Sequence, residues 1–214
     1  DRSRKSPQGL NALHWAAEGR TSNAETINTL LDAGMAVDTR TSDGSTPLLI
    51  AAMNDRPEQV AALLARGADV NATNGWGLTP LMAAGSSSPE VVGALLAAGA
   101  DLDARDQAGR VALHYMVAKH NALAVRMLCN RGAELDVLDG EGIAPMHLAR
   151  KMGTLDPLIR AGADLNIQCQ AKQYAGWTPL MFAAASNDIV GVRRLLNAGA
   201  DPMLGGENDV TPVR

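Results

Sequence analysis

The chain has 214 residues, of which 46% are hydrophobic and only 3% aromatic, and its formal net charge is −4. Small aliphatic side chains suit a core of closely stacked helices, and a net negative charge argues against general nucleic-acid binding, which needs a basic face. No stretch approaches the roughly 18 apolar residues of a membrane span, and the two cysteines, Cys129 and Cys169, lack the spacing of metal ligands.

A short pattern returns along the chain with a period of about 33 residues. It reads G-x-T-P-L in three places and is degenerate in three more, beginning at Gly9, Gly44, Gly77, Gly109, Gly142 and Gly176. A second series of glycines has the same period, and five of its six members precede Ala and an acid: Gly34, Gly67, Gly99, Gly132, Gly162 and Gly199. Two independent landmarks with one period indicate a repeat protein.

Each repeat predicts two short helices and an outward loop. Thr46 can cap the first helix and Pro47 suits its first position, while the second helix has an apolar stripe at Val60, Leu63 and Leu64. Gly67 ends that helix in the left-handed conformation, and residues 69–77 turn outward as a hairpin-like loop. The predicted repeats are 6–38, 41–71, 74–103, 106–136, 139–166 and 173–203, with 204–214 as the start of a truncated seventh.

Two repeats deviate from this frame. The first has two extra residues around 20–23. The fifth must have short helices, because Pro157 lies just before its apolar pair and proline clashes inside a helix. The following loop is four residues longer than the others, within 168–174. This lengthening has two interpretations, drift within one repeat or a recognition loop grafted onto the array.

The combined pattern G-x-T-P-L-x-x-A-A followed by V-x-x-L-L-x-x-G-A-D-x-N-A resembles the ankyrin repeat, from Ser6 to Asp201. The resemblance implies an all-α repeat solenoid, a stack of about six helix–turn–helix repeats joined by β-hairpin-like loops in one domain, 1–214. It also implies a concave groove lined by loop tips and first helices, and a function in protein binding. One repeat cannot bury its apolar face alone, whereas stacked copies can.

Catalysis is not expected from this sequence. His14, His114 and His147 share one repeat position, at which the resemblance implies structural hydrogen bonds, and His120 is expected to be exposed. The acids after Gly-Ala recur regularly, which suggests a role in loop structure rather than paired acid–base chemistry: Asp69, Asp101, Glu134, Asp164 and Asp201. No catalytic or nucleotide-binding motif occurs, so we expect no enzyme, cofactor or metal.

The candidate binding residues lie at the loop tips and after the first helices. Trp15, Tyr115 and Phe182 are expected to pack between repeats. The other aromatic residues, Trp76, Tyr174 and Trp177, flank loop glycines and are predicted partner anchors, although local packing between loops is the alternative. Residues at neighbouring or equivalent positions complete the candidate set: Leu78, Arg110, Lys119, Glu141, Ile143 and Lys151. Arg110, Lys119, Arg150 and Lys151 would form a modest basic cluster, with a solvated face as the alternative.

We therefore expect a monomer that binds another protein of unknown identity, without nucleic-acid binding or membrane insertion. The Arg-over-Lys and Ala-rich composition indicates a bacterial genome, and hence an effector or an immunity-type protein. The alternative is the targeting or regulatory domain of a larger enzyme, because the chain lacks an initial Met and ends within the seventh repeat. A third reading is a hydroxylation substrate at Asn71. The compartment stays open between the cytoplasm, which is favoured, and secreted or periplasmic locations.

Overall fold

The computed structural model describes residues 9–19, 23–149 and 153–205. This part of the chain contains twelve α-helices in six consecutive helix–turn–helix pairs and no β-strand. The first three pairs are α1 (Ala12–Glu18) and α2 (Ala24–Asp32), α3 (Pro47–Met53) and α4 (Pro57–Ala65), and α5 (Pro80–Ala83) and α6 (Pro89–Ala97). The last three pairs are α7 (Ala112–Ala118) and α8 (Ala122–Asn130), α9 (Pro145–Leu148) and α10 (Leu155–Ala161), and α11 (Pro179–Ala185) and α12 (Ile189–Ala198). The predicted all-α array of six repeats is confirmed.

The chain divides into two compact units, the first ending at Gln107 and the second beginning at Ala108. In the first unit, α1, α3 and α5 pack side by side in one layer, and α2, α4 and α6 form the other layer. In the second unit, α7, α9 and α11 form one layer, and α8, α10 and α12 form the other. The expectation of one continuous domain over residues 1–214 stays a prediction.

Local capping chemistry determines where the first helices begin. The hydroxyls of Thr46, Thr79 and Thr178 each accept a hydrogen bond from a backbone N–H three residues later, at 3.3, 3.3 and 3.4 Å. Each threonine is extended and precedes a proline at the first helical position. Gly67, which follows α4, has a φ of +81°, so the predicted helix stop is also confirmed.

The core of each unit is built from the repeated apolar positions. The Leu or Met of the motif is at most 1% exposed in all six repeats: Leu13, Leu48, Leu81, Leu113, Met146 and Leu180. Ala51 and Ala52 are also fully buried, and their small side chains let the neighbouring helices approach closely.

The fifth repeat has shortened helices, as its sequence predicts. Helix α9 has four residues, and α10 has seven, with Pro157 at its third position. A proline in the first turn costs no intrahelical hydrogen bond, because the N–H groups there have no partner within the helix. The lengthened loop that follows contains a single 3₁₀ turn, Lys172–Tyr174. The extra residues 20–22, and all but two residues of the predicted seventh repeat, lie outside the described residues.

Candidate functional site

Backbone hydrogen bonds join successive loop tips within each unit. In the first unit, Gly75 donates to the Asp43 carbonyl oxygen at 2.7 Å and Gln107 donates to that of Trp76 at 3.0 Å. In the second unit, Gly140 donates to the Ala108 carbonyl oxygen at 2.7 Å. The tips are therefore fixed against their neighbours, and side chains that project from them start from a defined backbone.

Asparagine and aspartate side chains shape the individual tips. Asn74 Oδ1 accepts hydrogen bonds from the backbone N–H groups of Trp76 and Leu78, both at 3.0 Å. Asp139 Oδ1 does the same for Glu141 and Ile143, at 3.0 and 2.9 Å. Four of the predicted site residues thus stand on two equivalent polar turns. Trp76 and Glu141 are exposed, whereas Leu78 and Ile143 are half-buried.

Exposed apolar side chains in the first unit lie on its loop tips and first helices. In its described part, the large apolar side chains that are exposed are Trp15 (56%), Met53 (52%) and Trp76 (59%). Trp15 belongs to α1, Met53 ends α3, and Trp76 stands at a loop tip. Large apolar side chains that share one surface are a feature of binding sites.

The prediction that Trp15 packs between repeats is wrong. The buried residues of α1 include Leu13, Ala16 and Ala17, which have the spacing i, i+3 and i+4. A residue two positions after Leu13 lies about 200° around the helix from it, so its side chain points away from that stripe. At the equivalent positions, Tyr115 is half-buried and only Phe182 is buried.

A cleft of about 550 Å³ lies between the first and second repeats. Its apolar walls come from Leu10, Ile50 and Met53, and its polar residues belong to one loop: Thr41, Ser42, Asp43 and Ser45. The exposed Asp43 carboxylate accepts hydrogen bonds from the Thr41 hydroxyl, from Ser45 N at 3.2 Å and from Ser45 Oγ at 3.1 Å. Partial burial acts to raise the pKa of Asp43, but these hydrogen bonds outweigh it and lower that pKa below its usual value.

In the second unit, the predicted anchors Tyr174 and Trp177 contact each other and the buried Phe182. The ring centroids are 5.0 Å apart for Tyr174 and Trp177, 5.1 Å for Tyr174 and Phe182, and 5.4 Å for Trp177 and Phe182. The His147 ring lies 5.3 Å from that of Phe182. Tyr174 and Trp177 are half-buried, so each ring has one part packed inside the cluster and another part accessible.

The predicted charged residues are placed on separate elements of the second unit. Arg110 is exposed at a loop tip, and its guanidinium lies 4.8 Å from the centre of the half-buried Tyr115 ring, a cation–π distance. Lys119 is exposed directly after α7. Arg150 and Lys151 lie outside the described residues, so the basic cluster as a whole stays a prediction.

The three buried histidines have the structural role implied by the resemblance. In each, Nδ1 accepts from a backbone N–H three residues earlier, and Nε2 lies 3.0 Å from a carbonyl oxygen of the next loop: Thr39 for His14, Ile143 for His114 and Ile167 for His147. An accepting Nδ1 requires the proton on Nε2. Burial lowers the pKa of His147, and hydrogen bonding to Ile167 opposes this only in part. His120 is exposed, as expected.

The recurring acids also belong to the framework. Asp69, Asp101, Asp164 and Asp201 each accept a hydrogen bond from the backbone N–H two residues later, at 2.8 to 3.0 Å. Their own N–H groups donate to side chains of the preceding repeat; Asp101 N, for example, lies 2.8 Å from Asn71 Oδ1. This confirms a role in loop structure for these four acids, whereas for Glu134 that role stays a prediction. The described residues bring no three His, Cys, Asp or Glu side chains together as a metal site would require.

Helix pairs in two layers, joined by stacked polar turns, define a helical repeat array. The chain belongs to the ankyrin-repeat family: the family described as "Ankyrin repeats (3 copies)" matches residues 1–74, 60–139 and 80–169, and "Ankyrin repeat" matches residues 175–206. Ankyrin-repeat domains are general protein–protein interaction modules and are typically non-catalytic. None of the helices in the described ranges combines the length and the apolar character that a membrane crossing requires.

This chain spans less than half the length of the two curated relatives described here. Ankyrin repeat protein nuc-2 of Neurospora crassa is 31% identical over 207 residues, which cover 94% of this chain and 19% of that protein. Putative ankyrin repeat protein FPV031 of Fowlpox virus is 32% identical over 154 residues, which cover 68% of this chain and 45% of that protein. The solved ankyrin repeat domain of Bcl-3, a member of the IkappaB protein family, superposes with a TM-score of 0.80 at 29% identity, covering 96% of this chain and 93% of that domain. Relatives from a fungus and a virus do not support the expected bacterial origin.

Proposed function

We propose that this chain binds another protein without catalysing a reaction, and that the partner contacts the loop tips and first helices. The observation that supports this most strongly is the placement of Trp15, Met53 and Trp76 in the first unit. More than half of the surface of each side chain is exposed, and this surface would release ordered water on burial by a partner. Tryptophan is also among the residues that most often dominate binding energy at protein interfaces.

The loop tips also suit recognition because they are already fixed. Asn74 holds the backbone of Trp76 from one side, and Gln107 bonds to the Trp76 carbonyl oxygen from the other. A side chain on such a backbone loses little conformational freedom on binding, so more of the contact energy is available for affinity.

The second unit would contribute mainly polar contacts and contacts from partly exposed apolar side chains. Arg110, Lys119 and Glu141 are exposed there, and Ile143, Tyr174 and Trp177 present part of their surfaces. We retain these residues, together with Leu78 in the first unit and Lys151, as proposed partner contacts of lower individual importance than the three exposed anchors.

A second candidate is that this array is the targeting or regulatory part of a larger enzyme. It is favoured by one observation, which is that the chain spans only 19% and 45% of the two relatives compared above. A catalytic motif in the full reading frame supports this candidate, and a frame that ends shortly after residue 214 excludes it. The narrower idea of a bacterial effector or an immunity-type protein has no support among these relatives.

The test is affinity capture from lysate of the source cells with a matched pair of variants. The first variant combines Trp15→Ala, Met53→Ala and Trp76→Ala. The control combines Leu123→Ala, Ile189→Ala and Val190→Ala, which are similarly exposed but belong to α8 and α12, the second helices of their repeats. Circular dichroism confirms that both fold. We expect the first variant to lose a protein that the wild type and the control retain; the opposite pattern would refute the proposed surface.

A further inference from the structure

The cleft between the first and second repeats has the size and chemistry of a side-chain pocket. Its volume of about 550 Å³ lies within the roughly 300–1,000 Å³ that is usual for binding pockets. Leu10, Ile50 and Met53 supply its apolar surface, and Met53 is itself 52% exposed. Methionine is unbranched and adapts its shape to the group that it contacts, so these walls suit an aliphatic or aromatic side chain.

A single carboxylate stands on the polar side of this cleft. The hydrogen-bond partners of Asp43 are Thr41 and Ser45, which are uncharged. Arg66, an arginine of the same unit, forms its ion pair with Asp32. Asp43 is therefore held in place as an anion by neutral donors and has no ion-pair partner among the described residues.

The two exposed tryptophans belong to elements next to the elements that line this cleft. Trp15 occupies in α1 the position that Ile50 occupies in α3, and these helices pack side by side. Trp76 follows Gly75, whose N–H bonds to the carbonyl oxygen of Asp43 at 2.7 Å. The Asp43 carboxylate attracts a cation through its charge, and an exposed indole such as that of Trp76 attracts one through the negative face of its ring.

Resting on the proposed function, we infer that this cleft takes an apolar side chain of a partner segment in which a Lys or Arg stands within two residues. The apolar side chain contacts Leu10, Ile50 and Met53. The cation pairs with the Asp43 carboxylate, where it replaces water around that group. An acidic segment is rejected at the same place, because two like charges would be brought together.

The test begins with a random 12-residue peptide library displayed on phage and selected against the wild-type chain. We expect the enriched sequences to share a Leu, Ile, Met or Phe within two residues of a Lys or Arg. The consensus peptide is then synthesised, together with a version that has Glu at the cationic position, and both affinities are measured by calorimetry. The Glu version is expected to bind at least tenfold more weakly.

Two variants assign the charge preference to Asp43. Asp43→Asn keeps the shape of the side chain and removes its charge, whereas Glu58→Gln removes one exposed charge from α4 in the other helix layer. We expect Asp43→Asn to weaken the consensus peptide about three- to tenfold and to abolish the salt dependence of its binding. Glu58→Gln is expected to change neither.

The inference is overturned if no sequence is enriched, or if the enriched sequences are acidic or lack an apolar residue close to a Lys or Arg. It is also overturned if Asp43→Asn binds the consensus peptide as tightly as the wild type does. It is also overturned if sedimentation shows a dimer that Met53→Lys dissociates, because the cleft then holds a second copy of the chain. Capture of the natural partner separates the two proposals. If Trp15→Ala/Trp76→Ala loses that partner while Asp43→Asn retains it at wild-type affinity, the proposed function stands and this inference fails.

Discussion

Two glycines of the second unit provide a controlled measurement of how tightly the loop tips are stacked. Gly132 and Gly142 have the same backbone φ of +80°, so an alanine at either position suffers the same strain of the left-handed conformation, about 1–2 kcal/mol. Their surroundings differ. A Cβ on Gly132 would meet nothing within 4 Å, whereas one on Gly142 would approach the Cα of Gln170 at 2.8 Å and its carbonyl carbon at 2.9 Å.

The free energy of unfolding should therefore fall by about 1–2 kcal/mol in Gly132→Ala. In Gly142→Ala, overpacking against a backbone adds roughly 1–3 kcal/mol, and the clash also strains the 2.9 Å hydrogen bond from Gln170 N to the Gly142 carbonyl oxygen. Urea unfolding followed by circular dichroism measures both values. Equal destabilisation of the two variants would show that the fifth tip does not lie tightly against the 168–174 loop, and would refute the reasoning.

Three further predictions concern the rings and the turns. Burial lowers the pKa of His147, so on acidification the unfolded state binds a proton at this ring before the folded state does. The free energy of unfolding should therefore be highest above about pH 6.5 and should fall below it, by up to about 1.4 kcal/mol per pH unit. His147→Gln should reduce this loss, as measured by urea titrations between pH 7 and 5. Trp177→Ala should cost about 2 kcal/mol because half of a large ring is buried, whereas Trp76→Ala should leave the melting temperature nearly unchanged; a reversed order would contradict the ring cluster. Asn74→Ala leaves the N–H groups of Trp76 and Leu78 without their shared acceptor and should cost about 1 kcal/mol; amide hydrogen exchange at these two residues should accelerate, and unchanged exchange would contradict the turn geometry.

The parts of the fold that depend on short-range chemistry could be predicted from the sequence. The Thr-Pro caps, the left-handed glycine after α4 and the short helices of the fifth repeat involve residues close together in the chain, and the structure has them as expected. The wrong prediction for Trp15 could have been avoided from the sequence. The two-residue spacing between Leu13 and Trp15 gives the angle between them around the helix, and that angle places Trp15 outside the buried stripe.

The arrangement of the site could be predicted only in part. Loop-tip positions follow from the repeat, and the exposure of Trp76 agrees with its predicted place there. The cluster of Tyr174, Trp177 and Phe182 depends on how the long loop closes. The loop is closed by a hydrogen bond from Cys169 N to the Trp177 carbonyl oxygen at 2.8 Å, which the spacing of residues in the sequence does not predict. Asp43 was missed, although a Thr two residues before it and a Ser two residues after it were a readable signal for a turn that holds a carboxylate.

The extra length of the 168–174 loop has a structural explanation that does not involve partner recognition. At this position of the turn, Asn74 and Asp139 each offer an oxygen to two backbone N–H groups, but the fifth loop has Cys169, whose thiol is a weak acceptor. The Cys169 thiol receives a hydrogen bond from the Ala171 backbone N–H, but a turn with this weaker acceptor needs another source of stability.

The four extra residues supply this source, because they let the chain form the 3₁₀ turn Lys172–Tyr174 and place Tyr174 against Trp177 and Phe182. Phe182 occupies the position of the exposed Trp15, and these rings cover it, which leaves it 7% exposed. One position of the repeat therefore carries an aromatic ring in both units, which is exposed at Trp15 in the first unit and is half-buried at Tyr115 and buried at Phe182 in the second. This difference is the reason that our proposal gives the leading role in partner binding to the first unit.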